Sequence, residues 1–139
     1  MKTLPIFVYG TLKRGERNVC IWSDPNPRVQ IASLKNASLY DLGPYPCMVA
    51  GDEVVCGELW FVGQRFFSTT IEALDRLEGF QKGDEDLYVR RIVQCEVDGD
   101  LVEAYTYFYN QPLTAHFAKI QPDKDGVVSW TGHSQGSDA

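Results

Sequence analysis

An Asp98-Gly99 dipeptide separates two segments that are rich in β-branched and aromatic residues, Tyr88–Val97 and Asp100–Tyr109. Asp-Gly is typical of the two-residue type I′ turn, which requires positive φ at both positions. The pattern therefore predicts a β-hairpin, and its register places Arg90 opposite Tyr107. One face of this hairpin carries valines and is expected in the core. The other face carries tyrosines and Arg90, which are expected either to pack against the rest of the protein or to line a cavity.

Three more strands are predicted at residues 4–9, 37–42 and 54–62, because each is a short apolar run with β-branched or aromatic members. The Gly-Pro-Tyr-Pro sequence at 43–46 is expected to form a rigid turn, since each proline fixes φ and lacks an N–H. The strands do not alternate regularly with helices, which argues against a doubly wound parallel sheet. We expect an α+β fold with a strongly curved or closed sheet.

One helix is predicted at residues 66–78. Apolar residues recur there at helical spacing, and Gly79 follows at the position where helices commonly end in a left-handed residue. The buried stripe is expected to comprise Ile71, Leu74 and Leu77. Thr69 and Glu72 have the spacing of a capping box, which predicts the start of the helix close to them.

The 139 residues fit one domain, which we expect to span residues 1–130 and to be followed by a disordered polar tail at 131–139. Acidic residues outnumber basic ones 19 to 13, for a net charge of −6, which argues against binding to nucleic acid phosphates. No apolar run is long enough to span a membrane, and the run at the N-terminus is too short for a signal peptide. The four cysteines include no Cys-x-x-Cys pair, so we expect free thiols, a cytoplasmic location and no metal site.

A first candidate site directly follows the first predicted strand. It comprises Tyr9, Gly10, Thr11 and Leu12. A glycine there allows successive backbone N–H groups to turn toward an anion, so the segment is either a structural turn or an anion-binding cradle. Gly10 and Gly15 also have the spacing of half a phosphate loop, but Glu16-Arg17 stands where Lys-Ser/Thr is required. No nucleotide cofactor is therefore expected.

A second candidate is Glu78. It lies within about 20° of Ile71 around the predicted helix and so borders the buried stripe, whereas Glu72 and Asp75 are expected to face water. It is also the last residue before Gly79, at the negative end of the helix dipole. Burial and the dipole both disfavour the charged carboxylate, and the raised pKa that results is typical of a general base. The alternative is a glutamate that extends into solvent at a helix end.

Six segments of the chain, in order, resemble the γ-glutamylcyclotransferase-like family, which includes γ-glutamylamine cyclotransferases and the AIG-type proteins. The segments are VYGTLKRG at 8–15, LYDLGPYP at 39–46, GELW at 57–60, LDRLEG at 74–79, YVRR at 88–91 and AYTY at 104–107. The resemblance implies a small mixed β-barrel with one main helix and short flanking elements, and a cavity at the first loop.

The resemblance also implies the roles of particular residues. Glu78 would be the catalytic acid/base, and Tyr9, Gly10, Thr11 and Leu12 would hold the substrate by their backbone N–H groups. Tyr88 and Tyr107 match positions where the family places pocket tyrosines. The stretch at 81–86 is longer and more acidic than in compact members of the family.

The implied reaction is the attack of an α-amine on the γ-carbonyl of the same γ-glutamyl group, which releases 5-oxoproline and an amine. Its reacting groups are already tethered, so holding them in the folded conformation supplies much of the acceleration. A small γ-glutamyl compound is the expected partner, and the reaction requires neither a metal nor a cofactor. The alternative is a non-catalytic binding module that keeps the same cavity.

Overall fold

The computed structural model describes residues 1–10, 22, 24–42, 45–81, 86–114 and 117–130. Within these residues the chain forms one helix and seven strands. In chain order they are β1 Ile6–Val8, β2 Arg28–Asp41, β3 Pro46–Phe61, α1 Gln64–Glu78, β4 Tyr88–Val97, β5 Asp100–Tyr109, β6 Ala118–Lys119 and β7 Val127–Val128. Several predicted features lie outside the described residues: Thr11, Leu12, the first half of the 43–46 turn, most of the 81–86 stretch and the tail at 131–139.

Five strands close into a barrel in the order β2-β4-β5-β1-β3, because β3 pairs back onto β2. Strands β1 and β5 run parallel and the other neighbours in the barrel run antiparallel, so the barrel is mixed. Strand β6 lies beside β2, and β7 lies beside β3. The predicted α+β class and the small mixed β-barrel with one main helix are confirmed. No helix in the described part of the chain is both long enough and apolar enough to cross a membrane.

The predicted hairpin of β4 and β5 is also confirmed. Asp98 and Gly99 both have positive φ, 51° and 87°, as a type I′ turn requires. Arg90 pairs with Tyr107 in the ladder. The turn chemistry thus sets the register of two strands that contribute three buried tyrosines to one cluster, Tyr88, Tyr105 and Tyr107.

Strands β2 and β3 are much longer than the apolar runs that predicted them. Their ladder extends from Arg28 opposite Phe61 to Asp41 opposite Pro46. The segment 28–35 enters this ladder although it forms no continuous apolar run, because the partner strand satisfies its backbone groups. The register shifts around Ala37, and a bulge of this kind bends and twists a strand pair.

Two hydrophobic clusters lie on opposite sides of the barrel wall. Successive residues of β1 alternate between them, with Phe7 in the barrel interior and its neighbours on the side of α1. The outer cluster joins helix residues to the hairpin face that carries tyrosines. Its members include Phe67, Ile71, Leu74, Tyr88, Tyr105 and Tyr107. The tyrosine face is therefore buried against α1, and the end of α1 lies beside it.

The start of α1 differs from the prediction. The helix begins at Gln64, Gly63 is its N-cap, and no side chain caps it, so the capping box of Thr69 and Glu72 is wrong. Both residues lie inside the helix, where the backbone N–H groups already have helical partners. The Gly63 N–H donates instead to the carboxylate of Asp24, at 2.7 Å.

The end of α1 is as predicted. Gly79 adopts the left-handed conformation with φ 72°, and its N–H donates to the carbonyl of Arg76. The Phe80 N–H donates to the carbonyl of Asp75 at 2.8 Å, which completes a Schellman-type end. Leu77 is 43% exposed, so its place in the buried stripe is wrong, and Thr70 lies there instead.

Candidate functional site

Glu78 ends α1 at the edge of the outer cluster. Its side chain is half-buried, and burial raises the pKa of its carboxyl to about 7. The charge on Glu78 in turn helps to raise the pKa of the Tyr9 and Tyr88 phenols, so the carboxylate lies close to both rings. The carboxyl is thus poised to gain or lose a proton near neutral pH.

Tyr9 follows β1 and is buried. Its hydroxyl donates to the backbone carbonyl of Tyr107 at 2.7 Å. Burial is the main reason that its pKa lies well above the usual value. The phenol therefore stays neutral, and its bond to the Tyr107 carbonyl holds the end of β1 against β5.

Tyr88 and Gly10 are brought together through Pro46, the first residue of β3. The Tyr88 hydroxyl donates to the Pro46 carbonyl at 3.0 Å, and burial raises the pKa of this phenol well above its usual value. A Cβ built on Gly10 would lie 2.9 Å from Cγ of Pro46, so the backbone at Gly10 passes directly against this proline ring. Any larger residue would push the loop away from Pro46.

Asp75 does not face water, contrary to the prediction. The Tyr107 hydroxyl donates to its Oδ1 at 2.6 Å, and the Arg90 guanidinium forms an ion pair with its Oδ2. Burial is the main cause that raises the pKa of Tyr107, and the bond to Asp75 raises it further. The prediction failed because the wheel argument considered apolar residues only, whereas this side of α1 faces polar groups of the hairpin.

Cys47 lies beside both site tyrosines, since its thiol contributes to the raised pKa of Tyr9 and Tyr88. Burial raises the pKa of the Cys47 thiol itself to about 12, so the nucleophilic thiolate is scarce at neutral pH. Among the described residues no group of three or more His, Cys, Asp or Glu side chains is placed to hold a metal ion.

The structure therefore brings together five of the seven predicted site residues, and the other two, Thr11 and Leu12, lie outside the described residues. Tyr9, Glu78 and Tyr88 share one region, Gly10 adjoins it through Pro46, and the Tyr107 carbonyl bonds to Tyr9. The Tyr107 hydroxyl is directed at Asp75. Sequence reasoning missed Asp75, although Asp75 and Glu78 are three residues apart and so lie on the same side of a helix.

Residues 6–130 match the family described as "Gamma-glutamyl cyclotransferase, AIG2-like". The chain belongs to this family. The match covers most of the described barrel, α1 and the hairpin, and it includes every predicted site residue. The resemblance drawn from the six segments is thereby confirmed.

Three bacterial relatives show how similar in sequence this chain is to other proteins. A Vibrio cholerae protein is 38% identical over 73 residues, which are 52% of this chain and 60% of that protein, so the match spans less than two thirds of it. The gamma-glutamylcyclotransferase family protein YtfP of Escherichia coli is 32% identical over 108 residues, 78% of this chain and 84% of that protein. The gamma-L-glutamyl-butirosin B gamma-glutamyl cyclotransferase of Niallia circulans is 33% identical over 111 residues, 76% and 67% of the two chains.

Two solved structures have folds similar to that of this chain. YkqA from Bacillus subtilis superposes with a TM-score of 0.67 at 28% identity and covers 99% of this chain, which spans 43% of YkqA. An aig2-like protein from Mus musculus superposes with a TM-score of 0.55 at 23% identity, over 85% of this chain and 81% of that one. At this identity, the similarity to the mouse protein shows a shared fold and nothing more.

Proposed function

We propose that this protein is a γ-glutamyl cyclotransferase that releases 5-oxoproline and an amine from a small γ-glutamyl compound. The observation that carries the proposal is the half-buried Glu78 carboxyl, whose pKa of about 7 suits a group that both accepts and donates a proton at neutral pH. Its position beside Tyr9, at the start of the proposed substrate loop, supports the same assignment.

In the proposed mechanism, Glu78 acts twice. Its carboxylate first takes a proton from the α-ammonium of the substrate, which frees the amine lone pair to attack the γ-carbonyl and close a five-membered ring. After the attack the ring nitrogen loses its second extra proton to water, and the protonated Glu78 donates its own proton to the leaving amine as the C–N bond breaks. One carboxyl can perform both transfers because its pKa lies near the working pH.

The proposed substrate contacts come from the loop that begins at Tyr9. The backbone N–H groups of Gly10, Thr11 and Leu12 would hold the substrate carboxylate or the developing oxyanion, which fixed donors stabilise strongly in a sheltered site. The ring of Tyr88 would line the cavity. Tyr107 would act through its ring and through its backbone bond to Tyr9, since its hydroxyl already bonds to Asp75.

The relatives' names support a γ-glutamyl substrate in which the acyl group is joined to an amine. The Niallia circulans protein is named for γ-glutamyl-butirosin B. The chemistry described above does not depend on the leaving amine, so the proposal is limited to the class of small γ-glutamyl compounds.

We further propose that a single domain of residues 1–130 carries the activity in the cytoplasm. Trp130 is only 4% exposed and belongs to the inner cluster, so the folded domain extends at least this far. The cysteines within the described residues, Cys47, Cys56 and Cys95, are free, in keeping with a reducing compartment. A chain truncated after Trp130 is expected to keep its stability and its turnover.

The test is a panel of γ-glutamyl compounds, with 5-oxoproline measured by mass spectrometry, followed by kinetics of the Glu78→Gln variant on the best substrate. Glutamine keeps the shape but cannot cycle a proton, so kcat should fall by on the order of 10² or more while ligand affinity is retained. Glu72→Gln is the matched control, because it makes the same change on the exposed side of α1. Turnover by Glu78→Gln at the wild-type rate would show that Glu78 is not the acid/base. Ligand binding without 5-oxoproline release by the wild type would identify a binding module.

A further inference from the structure

Asp75 links the last turns of α1 to the hairpin through two different groups. Its Oδ1 accepts from the Tyr107 hydroxyl at 2.6 Å, and its Oδ2 pairs with the Arg90 guanidinium. Arg90 and Tyr107 are directly opposite each other in the β4–β5 ladder. One carboxylate on the helix is therefore held by a cross-strand pair whose register the Asp-Gly turn sets.

The ion pair is sheltered from solvent. The Arg90 side chain is 12% exposed and that of Asp75 is 22% exposed. The guanidinium also lies 5.1 Å from the ring centroid of Phe80 and 5.6 Å from that of Tyr105. A pair with these surroundings is screened less by salt than an exposed pair, and its geometry is better defined.

The backbone of Asp75 also takes part in hydrogen bonding at the end of α1. Its carbonyl accepts from the Phe80 N–H at 2.8 Å and so helps to close the helix end that contains Glu78. Asp75 and Glu78 are three residues apart, which places them side by side on the helix. Fixing the side chain and the carbonyl of Asp75 therefore fixes the backbone of the helical turn from which Glu78 projects.

We propose that Asp75, Arg90 and Tyr107 form an electrically neutral clamp that positions Glu78 in the candidate site. The proposal rests on the proposed function, and its three members are positioning residues rather than catalytic ones. The clamp has two effects. It holds the last turn of α1 against the hairpin, and it balances the charge of Asp75 beside the carboxyl that must change its charge during turnover.

Among the residues that the structure describes, the groups that face Glu78 or adjoin its neighbours include two phenols and a thiol that remain neutral near pH 7. Tyr9 after β1 and Tyr88 of β4 face it, and Cys47 of β3 lies beside both tyrosines. Burial raises the pKa of each of these three groups.

The clamp predicts shifts of opposite sign when its two charges are removed one at a time. Asp75→Asn leaves the guanidinium unbalanced, which favours the Glu78 carboxylate and should lower its pKa. Arg90→Met leaves the Asp75 carboxylate unbalanced, which should raise the pKa of Glu78. Each shift should be roughly one pH unit, and the double variant should return close to the wild-type value.

The experiment is a carboxyl NMR titration of Glu78 in the full-length protein without substrate. Arg91→Met, which removes the same charge from the exposed neighbour of Arg90, is the matched control and should leave the Glu78 titration unchanged. Arg90→Lys keeps the charge and should restore most of the wild-type pKa, and it covers the case in which Arg90→Met does not fold. Single variants that shift the pKa in the same direction, or not at all, would overturn the clamp.

A kinetic arm separates positioning from catalysis. On the substrate found by the γ-glutamyl panel, Asp75→Asn, Arg90→Met and Tyr107→Phe should each lower kcat roughly tenfold with little change in KM. The pH profile of kcat/KM should move in the direction of the titration. An unchanged kcat in all three variants would overturn positioning, whatever the titration gives. Failure of the proposed function would show differently, as an absence of 5-oxoproline release by the wild type.

Discussion

The pKa of Glu78 makes the stability of the fold depend on pH in a direction opposite to that of most carboxylates. In the folded protein burial raises this pKa from 4.5 to about 7, so the folded state binds the proton more tightly than the unfolded chain. A group of this kind stabilises the fold fully at pH values below its unfolded pKa. That stabilisation is lost as the pH rises through the folded pKa. The affected range therefore runs from about pH 4.5 to about pH 7.

The size of the effect follows from the difference between the two pKa values. With one ionisable group and these pKa values, the free energy of unfolding should fall by about 2.5 kcal/mol between pH 5 and pH 8. Glu78→Gln has no proton to lose and lacks this component. The difference in free energy of unfolding between Glu78→Gln and the wild type should thus grow by the same amount, in favour of the variant.

The assay is urea unfolding of both proteins at a series of pH values, followed by circular dichroism. The difference between the variant and the wild type isolates Glu78, because the other titrating groups are shared. Glu72→Gln, on the exposed side of α1, should give a difference that is constant with pH. If the difference between Glu78→Gln and the wild type were also constant from pH 5 to pH 8, the carboxyl would titrate normally and the electrostatic argument for an acid/base would fail.

Two further predictions concern the helix end and the buried thiols. Gly79→Ala should lower the free energy of unfolding by about 1 kcal/mol, measured in urea, because φ at Gly79 is 72° and a Cβ is disfavoured there even though space is available. A loss below 0.3 kcal/mol, about the error of the measurement, would contradict this. Cys47 and Cys95, both fully buried with pKa values of about 12, should resist iodoacetamide at pH 8 in the native protein and react after unfolding. Mass spectrometry of the digested protein checks this, and rapid alkylation of native Cys47 would contradict the burial of the site region.

The parts of the fold that local chemistry controls could be predicted from the sequence. The hairpin register follows from Asp98-Gly99, and the end of α1 follows from Gly79, because only a few conformations satisfy these residues. The polar half of β2 could not be predicted in this way. Residues 28–35 form a strand because β3 supplies partners for their backbone groups, and a pairing with residues about twenty to thirty positions away leaves no local pattern.

The same distinction, between local features and contacts with distant parts of the chain, applies to the candidate site. The elevated pKa of Glu78 was predictable from its place at the border of a stripe, since burial is a property of one helix face. The ion pair of Asp75 was not, because it depends on how the helix face meets a hairpin that is distant in the chain. The information was nevertheless available in two pieces, a hairpin register that pairs Arg90 with Tyr107 and a buried stripe that places α1 against the tyrosine face.

The two acids at the end of α1 show how neighbouring carboxyls come to play different parts. Asp75 has a cation and a phenol as partners and so is held in a fixed direction, whereas burial keeps Glu78 close to its protonation midpoint at neutral pH. Such a Glu78 destabilises the fold when it is charged, and the helix dipole at the same end adds to that cost. The Asp75 contacts and the left-handed Gly79 hold this helix end in place. The difference between the two environments is what would allow one carboxyl to move protons while the other holds it in position.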